Sequence, residues 1–111
     1  MSRTTRGILQ IQSEIHKILS NPRRLQLLYE LRDGEKTVSE LSATTGLKVA
    51  NVSQHLGLMR RRKMLVERRV GNSVFYRIAD ERINSVCDIV QAMLLSQASD
   101  DEKFVRLARR G

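Results

Sequence analysis

Apolar residues recur three or four positions apart in the first third of the chain, the spacing of an amphipathic helix. A first helix is predicted over about 5–20, with apolar positions Ile8, Ile11, Ile15, Ile18 and Leu19. A second is predicted to begin after Asn21, a favourable N-cap, with Pro22 in its first turn, and to end at Gly34. Its buried stripe is predicted to comprise Leu25, Leu28 and Leu31.

Two more helices are predicted directly afterwards. Thr37 and Glu40 have the spacing of a capping box, and Gly46 supplies a stop for the short helix that they begin. The next helix is predicted from about Val49 to Lys63, with a core stripe of Val52, Leu56 and Met59. A short helix, a glycine turn and a longer helix form a helix-turn-helix, here over about 37–63.

The apolar spacing then changes from helical to alternating. Residues 65–79 alternate on both sides of a turn signal, which predicts a β-hairpin with the tip Gly71, Asn72 and Ser73. Asp80 is predicted to cap a long helix over about 80–97, and Ser99 with Glu102 a short last one. The predicted architecture is mainly α with one β-hairpin, in the order α-α-α-α-β-β-α-α, as a single domain of residues 1–111.

The distribution of charge indicates the kind of partner. The chain has 111 residues, a net charge of +8 and 41% apolar residues, which suits one globular domain. Between Lys48 and Arg77 there are eight cations and a single acid, Glu67, so nearly all of the net charge falls in this window. A solvated surface usually mixes signs, and the segregation therefore favours a polyanion such as nucleic acid.

The second helix of a helix-turn-helix presents its first residues to the major groove. Side chains that fit base edges are predicted at four positions: Ala50 and Gln54 lie opposite the predicted core stripe, and Asn51 and Ser53 flank that side. Phosphate contacts are predicted for Lys48, His55, Arg60, Arg61, Arg62, Lys63, Arg68, Arg69, Asn72 and Ser73. Cations at a helix C-terminus also offset its dipole, which alone would explain one or two of the run Arg60–Lys63.

The segment TVSELSATTGLKVANVSQHLGLMRRRKMLVERRVGNSVFYRI resembles the core of the ArsR/SmtB family of winged-helix transcriptional repressors. VSQHLGLM stands where that family has VSxHLxxL, and NPRRLQLLYEL is similar to the start of its second helix, xPxRLxIL. The resemblance covers roughly residues 14–95. It implies a wing at 65–79, a homodimer built through the first and fifth helices, a palindromic operator, and repression relieved by an effector.

The terminal helices carry more apolar surface than a small domain needs. We predict that the helices at 5–20 and 80–97 form a dimer interface, through Ile8, Ile11, Ile15, Val86, Val90, Met93 and Leu94. A two-fold dimer would double the DNA site, whereas packing inside the monomer is the alternative explanation.

Sensor chemistry is not evident in the sequence. The resemblance suggests two kinds of metal site, a CVC box in the third helix or Asp and His ligands in the fifth. Here the third helix reads VSELSA without cysteine, and the fifth contains no histidine, so we expect no metal and no cofactor. Cys87 is expected to be a small buried hydrophobe, with a redox or ligand-sensing role as the alternative. The effector is unspecified.

Several classes of function are disfavoured. Neither a nucleophilic triad nor a phosphate-binding loop is visible in the sequence, so an enzyme is not expected. No signal peptide or membrane span is recognisable, so a cytoplasmic protein is expected. The leading hypothesis is a dimeric, sequence-specific repressor that binds double-stranded DNA. A winged-helix protein-interaction module and a nonspecific nucleic-acid-binding protein are the alternatives.

Overall fold

Four helices precede the hairpin, as the apolar spacing predicts. They span Arg3–Leu19 (α1), Pro22–Glu30 (α2), Val38–Thr45 (α3) and Val49–Arg61 (α4). The computed structural model describes residues 1–97 and 102–110, and it divides the chain into two compact units, residues 1–80 and 81–111. The first unit contains these four helices and the hairpin.

Local side-chain chemistry sets where α2 and α3 begin. The Asn21 Oδ1 atom accepts hydrogen bonds from the backbone N–H groups of Arg23 at 2.9 Å and Arg24 at 3.2 Å. Thr37 and Glu40 form the reciprocal capping box that their spacing predicts. The end of α2 is less simple, because a turn of 3₁₀ helix at Leu31–Asp33 separates it from Gly34.

Aliphatic side chains from α2, α3 and α4 form the centre of the first unit. The predicted core positions Val52, Leu56 and Met59 are all fully buried, and Leu41 joins them from α3. One predicted core position is wrong: Leu25 is 39% exposed, and Leu27 takes its place beside the buried Leu28 and Leu31. At about 100° per residue, Leu27, Leu28 and Leu31 share one face of the chain while Leu25 turns away from it.

The hairpin strands are Leu65–Val70 (β2) and Ser73–Ile78 (β3), and they belong to a sheet of three strands. The additional strand, Lys36–Thr37 (β1), pairs antiparallel with β3, so the sheet order is β1-β3-β2 and the predicted element order lacked one strand. The tip is also shorter than predicted. Ser73 already pairs with Val70, which leaves a two-residue turn of Gly71, with φ +59°, and Asn72.

Helix α4 ends two residues earlier than predicted, in a Schellman motif. The Lys63 N–H donates to the Arg60 carbonyl, and the Met64 N–H donates to the Met59 carbonyl, both at 2.9 Å. Met64 is buried, which supplies the apolar contact that accompanies such caps. Lys63 has φ 62°, the left-handed conformation in which glycine is the usual residue.

Lys63→Gly is therefore expected to raise the free energy of unfolding by roughly 1 kcal/mol, since glycine removes the strain of a side chain in the left-handed region. Urea denaturation measures this change. Lys63→Ala is the matched control, because it removes the same charge but keeps the unfavourable conformation, and it should not stabilise the protein. Equal stabilities of the two variants would argue against strain at this position.

The second unit contains Arg82–Gln97 (α5) and Glu102–Arg110 (α6), and Ser99 of the predicted second capping box lies outside the described residues. None of the residues of α5 is buried. Six of its large apolar side chains are 43% to 67% exposed, at Val86, Ile89, Val90, Met93, Leu94 and Leu95. Cys87 is half-buried rather than buried as expected. In the described part of the chain no helix is long and apolar enough to cross a membrane.

Candidate nucleic-acid interface

The turn between α3 and α4 is held by side-chain hydrogen bonds. Gly46 adopts a left-handed conformation, with φ +76°, and its N–H donates to the Ser42 carbonyl. The Ser42 hydroxyl donates to the Leu47 carbonyl at 2.6 Å, and the Leu47 N–H donates to Thr45 Oγ1 at 3.2 Å. Both backbone groups of Leu47 are thereby fixed, which sets the direction in which α4 leaves the turn. Lys48, which follows, makes no side-chain cap to α4.

The four predicted base-reading residues are all exposed on α4, at Ala50, Asn51, Ser53 and Gln54. Ala50 and Gln54 lie opposite the buried Val52, Leu56 and Met59, and Asn51 and Ser53 lie to either side of them, so burial of the core stripe turns all four to solvent. Further along this side, an Arg61 Nη1 atom lies 3.3 Å from the position that a Cβ atom on Gly57 would occupy. The glycine therefore allows the Arg61 guanidinium to lie close against the helix.

The run of four cations at the end of α4 is divided between two environments. Arg62 Nη1 lies 2.7 Å from Glu14 Oε2 of α1, and Arg60 Nε lies 3.6 Å from Glu67 Oε2 of β2. Among the described residues, Arg61 and Lys63 have no ion-pair partner, and both are exposed. Arg61 and Lys63 are thus better candidates for phosphate than the two paired arginines.

The two arginines of β2 also differ, because successive residues of a strand point to opposite faces. Arg68 donates through Nε and Nη2 to the two carboxylate oxygens of Glu35, and its guanidinium lies over the Phe75 ring, 5.0 Å from the centroid. This hydrogen-bonded guanidinium lowers the pKa of the Glu35 carboxyl. Arg69 is exposed and has no carboxylate partner within the described ranges. Of the two arginines of β2, Arg69 is therefore the one whose charge is not already paired.

Glu67, the single acid of the basic window, connects α4 to the wing. It pairs across the strands with Tyr76 and lies within ion-pair distance of Arg60. Burial, and then the negative charge of Glu67, raise the pKa of the Tyr76 phenol. A lone acid among cations was visible in the sequence, but its two partners depend on the tertiary fold.

Arg24, which was not among the predicted site residues, contacts a predicted one. Its Nε atom donates to Nδ1 of His55 at 3.1 Å, joining the start of α2 to α4. Beside them is an open cleft of about 340 Å³, lined by Arg24, Ser53, Gln54, His55, Gly57, Leu58 and Arg61. Burial, and then the positive charges of Arg24 and Arg23, lower the pKa of the His55 imidazole. A neutral histidine therefore stands beside two of the predicted base-reading residues.

The wing tip lies close to the start of α3. Asn72 and Ser73, both exposed, line a second open cleft of about 450 Å³ together with Thr37, Val38, Ser39 and Val74. The structure therefore brings the predicted tip residues together with the beginning of the helix-turn-helix.

The predicted interface residues remain exposed on both terminal helices. On α1, Ile8 and Ile11 are 58% and 64% exposed, whereas Ile15 is half-buried. On α5, Val86, Val90, Met93 and Leu94 are exposed. Across residues 1–97 and 102–110, no group of three or more His, Cys, Asp or Glu residues could hold a metal ion.

A helix-turn-helix followed by an antiparallel wing, with cations along both, defines the class of winged-helix DNA-binding proteins. Residues 21–62 match the family model of bacterial regulatory proteins of the arsR family. The HTH-type transcriptional regulator Rv0081 of Mycobacterium tuberculosis, itself uncharacterized, is 33% identical over 105 residues, which cover 94% of this chain and 92% of that protein. The chain thus belongs to the ArsR family of HTH-type transcriptional regulators, as its motifs predict.

Solved structures confirm the winged fold. The crystal structure of Rv0081 has a TM-score of 0.75 at 32% identity, over 84% of this chain and 94% of that one. The homodimeric winged helix-turn-helix DNA-binding domain of Mb0332 from Mycobacterium bovis, solved by NMR, has a TM-score of 0.75 at 30% identity, over 84% and 86% of the two chains. The biofilm growth-associated repressor of Agrobacterium fabrum is 32% identical over 77 residues, 69% of this chain and 66% of that protein.

Proposed function

We propose that this transcriptional regulator is a homodimeric repressor that binds an inverted-repeat operator in double-stranded DNA. The observation that carries the proposal is the exposure of Ala50, Asn51, Ser53 and Gln54 at the start of a helix that follows a hydrogen-bonded turn. Asn and Gln amides can bond a base edge through two atoms, and the small Ala50 allows close approach to the groove.

Phosphate binding is assigned to the cations that the fold leaves unpaired. Lys48, Arg61, Lys63 and Arg69 are exposed, with no ion pair within the described part of the chain, and His55, Asn72 and Ser73 add polar groups beside them. Arg60, Arg62 and Arg68, which were predicted to contact phosphate, are instead proposed mainly to hold the wing and α1 in place. Contacts to phosphate supply affinity and register, while the amides select the sequence.

The dimer is proposed to form through the apolar faces of α1 and α5. Exposed Ile8 and Ile11 on one helix, and Val90 and Met93 on the other, would leave water on association. The homodimeric state of the Mb0332 domain supports this arrangement. The protein is proposed to act in the cytoplasm, where bacterial DNA lies, without catalytic activity or a metal cofactor.

Selection of bound DNA from a random pool tests the proposal. An enriched inverted repeat is expected, since a two-fold dimer reads two half-sites about one helical turn apart. Placing that repeat in a reporter promoter should lower transcription when the protein is present. Tight binding without a common motif would favour a nonspecific nucleic-acid-binding protein, and no binding would favour an interaction module. A rise in transcription would assign the chain an activating role, as in HlyU of Vibrio cholerae, which is named a transcriptional activator and is 32% identical over 77 residues.

A further inference from the structure

We infer that Arg24 is a positioning residue for DNA binding: it holds His55 as the Nε2–H tautomer, so that this ring can donate a hydrogen bond from Nε2 to a phosphate oxygen. The inference rests on the proposed DNA-binding surface. It adds a residue of α2 to a surface otherwise built from α4 and the wing, and it gives His55 a defined hydrogen-bonding role.

The backbone and side chain of Arg24 are both fixed. Its N–H group donates to the Asn21 side chain in the N-cap of α2, and its Nε–H donates to His55 Nδ1 at 3.1 Å. A guanidinium can only donate, so Nδ1 must present its lone pair, and the proton of the neutral ring must reside on Nε2. The tautomer of His55 is therefore selected by Arg24.

The His55 side chain lines a cleft on the proposed DNA-binding surface. His55 is half-buried and shares this cleft with Ser53, Gln54 and Arg61. No other hydrogen bond of this ring occurs within the described residues. An Nε2–H group there can donate to a phosphate oxygen while Ser53 and Gln54 face the bases.

The charges around the ring oppose its protonation. Arg24 and Arg23 face it from α2, Arg61 faces the cleft from α4, and no carboxylate lines that cleft. Burial acts in the same direction as these cations and lowers the pKa of His55. An ordinary histidine gains its charge near pH 6.5, whereas this ring should gain its charge at a lower pH. Its hydrogen bond to phosphate should then change less with pH than that of an ordinary histidine.

The tautomer can be measured without DNA. Two-bond ¹H–¹⁵N spectra of the wild-type protein should show His55 protonated at Nε2 alone, and a pH titration should give a pKa below the ordinary value. Arg24→Met removes the donor and the charge but keeps the length of the side chain, so it should yield a mixture of tautomers and a higher pKa. Arg23→Met is the matched control, because it removes a neighbouring charge and leaves the Arg24–His55 bond. A single Nε2–H tautomer with an unchanged pKa in Arg24→Met would overturn the inference.

Operator binding gives the second readout. Between pH 8 and 6, Arg24→Met should gain about fivefold more affinity than wild type gains, because its imidazole charges more readily and a charged imidazole attracts phosphate. Arg23→Met, which loses only the smaller charge effect, should fall between the two. Arg24→Met with His55→Gln should lose this extra gain, since glutamine donates without titrating.

If Arg24→Met does not fold, Arg24→Lys takes its place. Lysine keeps the charge without the directed Nε–H bond, so this variant should also lose the single tautomer. A flat profile in folded Arg24→Met would contradict the inference. Failure of the wild type to bind any operator would instead defeat the proposed function, while the spectra would still decide whether Arg24 fixes the tautomer.

Discussion

Val90→Glu is expected to produce a folded monomer whose operator affinity is lower by about a hundredfold or more. Val90 is 51% exposed at the middle of the apolar face of α5, so a carboxylate there can stay hydrated in the single chain. In the proposed dimer the same carboxylate would be buried without a partner, which costs about 3–5 kcal/mol. Loss of the dimer also separates the two recognition helices that read the two half-sites.

Sedimentation and operator titration measure the two parts of this prediction. Gln91→Glu introduces the same charge at an exposed position beside Val90, away from the apolar face, and it should leave both quantities nearly unchanged. Ile11→Glu tests the α1 side in the same way, and it is a cleaner choice than the half-buried Ile15. A wild-type monomer at micromolar concentration, or a Val90→Glu protein that remains dimeric, would refute the proposed interface.

The second large effect concerns sequence reading. Gln54→Ala is expected to lose roughly 1–3 kcal/mol of binding to the selected operator and little to random DNA, because a bidentate amide contact discriminates between bases. Titrations on both DNAs at several salt concentrations separate the two kinds of contact. If Gln54→Ala lost the same free energy on both DNAs, Gln54 would not be a base-reading residue.

Arg69→Ala and Arg68→Ala form a matched pair for the phosphate contacts. Arg69 is exposed and unpaired within the described ranges, so its removal should weaken binding to both DNAs alike and flatten the salt dependence. Arg68 already binds Glu35, so its removal should change the salt dependence less. A larger salt effect from Arg68 would show that the Glu35 pair opens when DNA binds.

Local patterns predicted most of the helices and their ends. The Asn21–Pro22 start of α2, the Thr37–Glu40 box and the core stripe of α4 all follow from interactions within a few residues of one another. Strand β1 was missed because two residues are too few to show alternation. The four-residue cation run was likewise uniform in sequence, and its division depends on where Glu14 and Glu67 arrive in three dimensions.

Arg24 shows the same limit at the candidate site. Its position in the first turn of α2 predicts only an exposed cation near a helix start, and its partner His55 lies in a different helix. Pairwise chemistry between distant segments therefore had to come from the structure, whereas the exposed face of α4 could be predicted from the periodicity that buries its opposite face.

Ion pairs hold the wing to the rest of the first unit on both of its faces. The Arg68 pair with Glu35 holds one face to the segment before β1, and the ion pair of Glu67 with Arg60 holds the other to α4. The distance between the recognition helix and the wing tip is therefore set before DNA arrives. Association then immobilises few protein groups, and the adjustment of groove width and bending falls on the double helix. Operators whose base steps deform easily next to the α4 contacts should thus be preferred even at base pairs that no side chain touches.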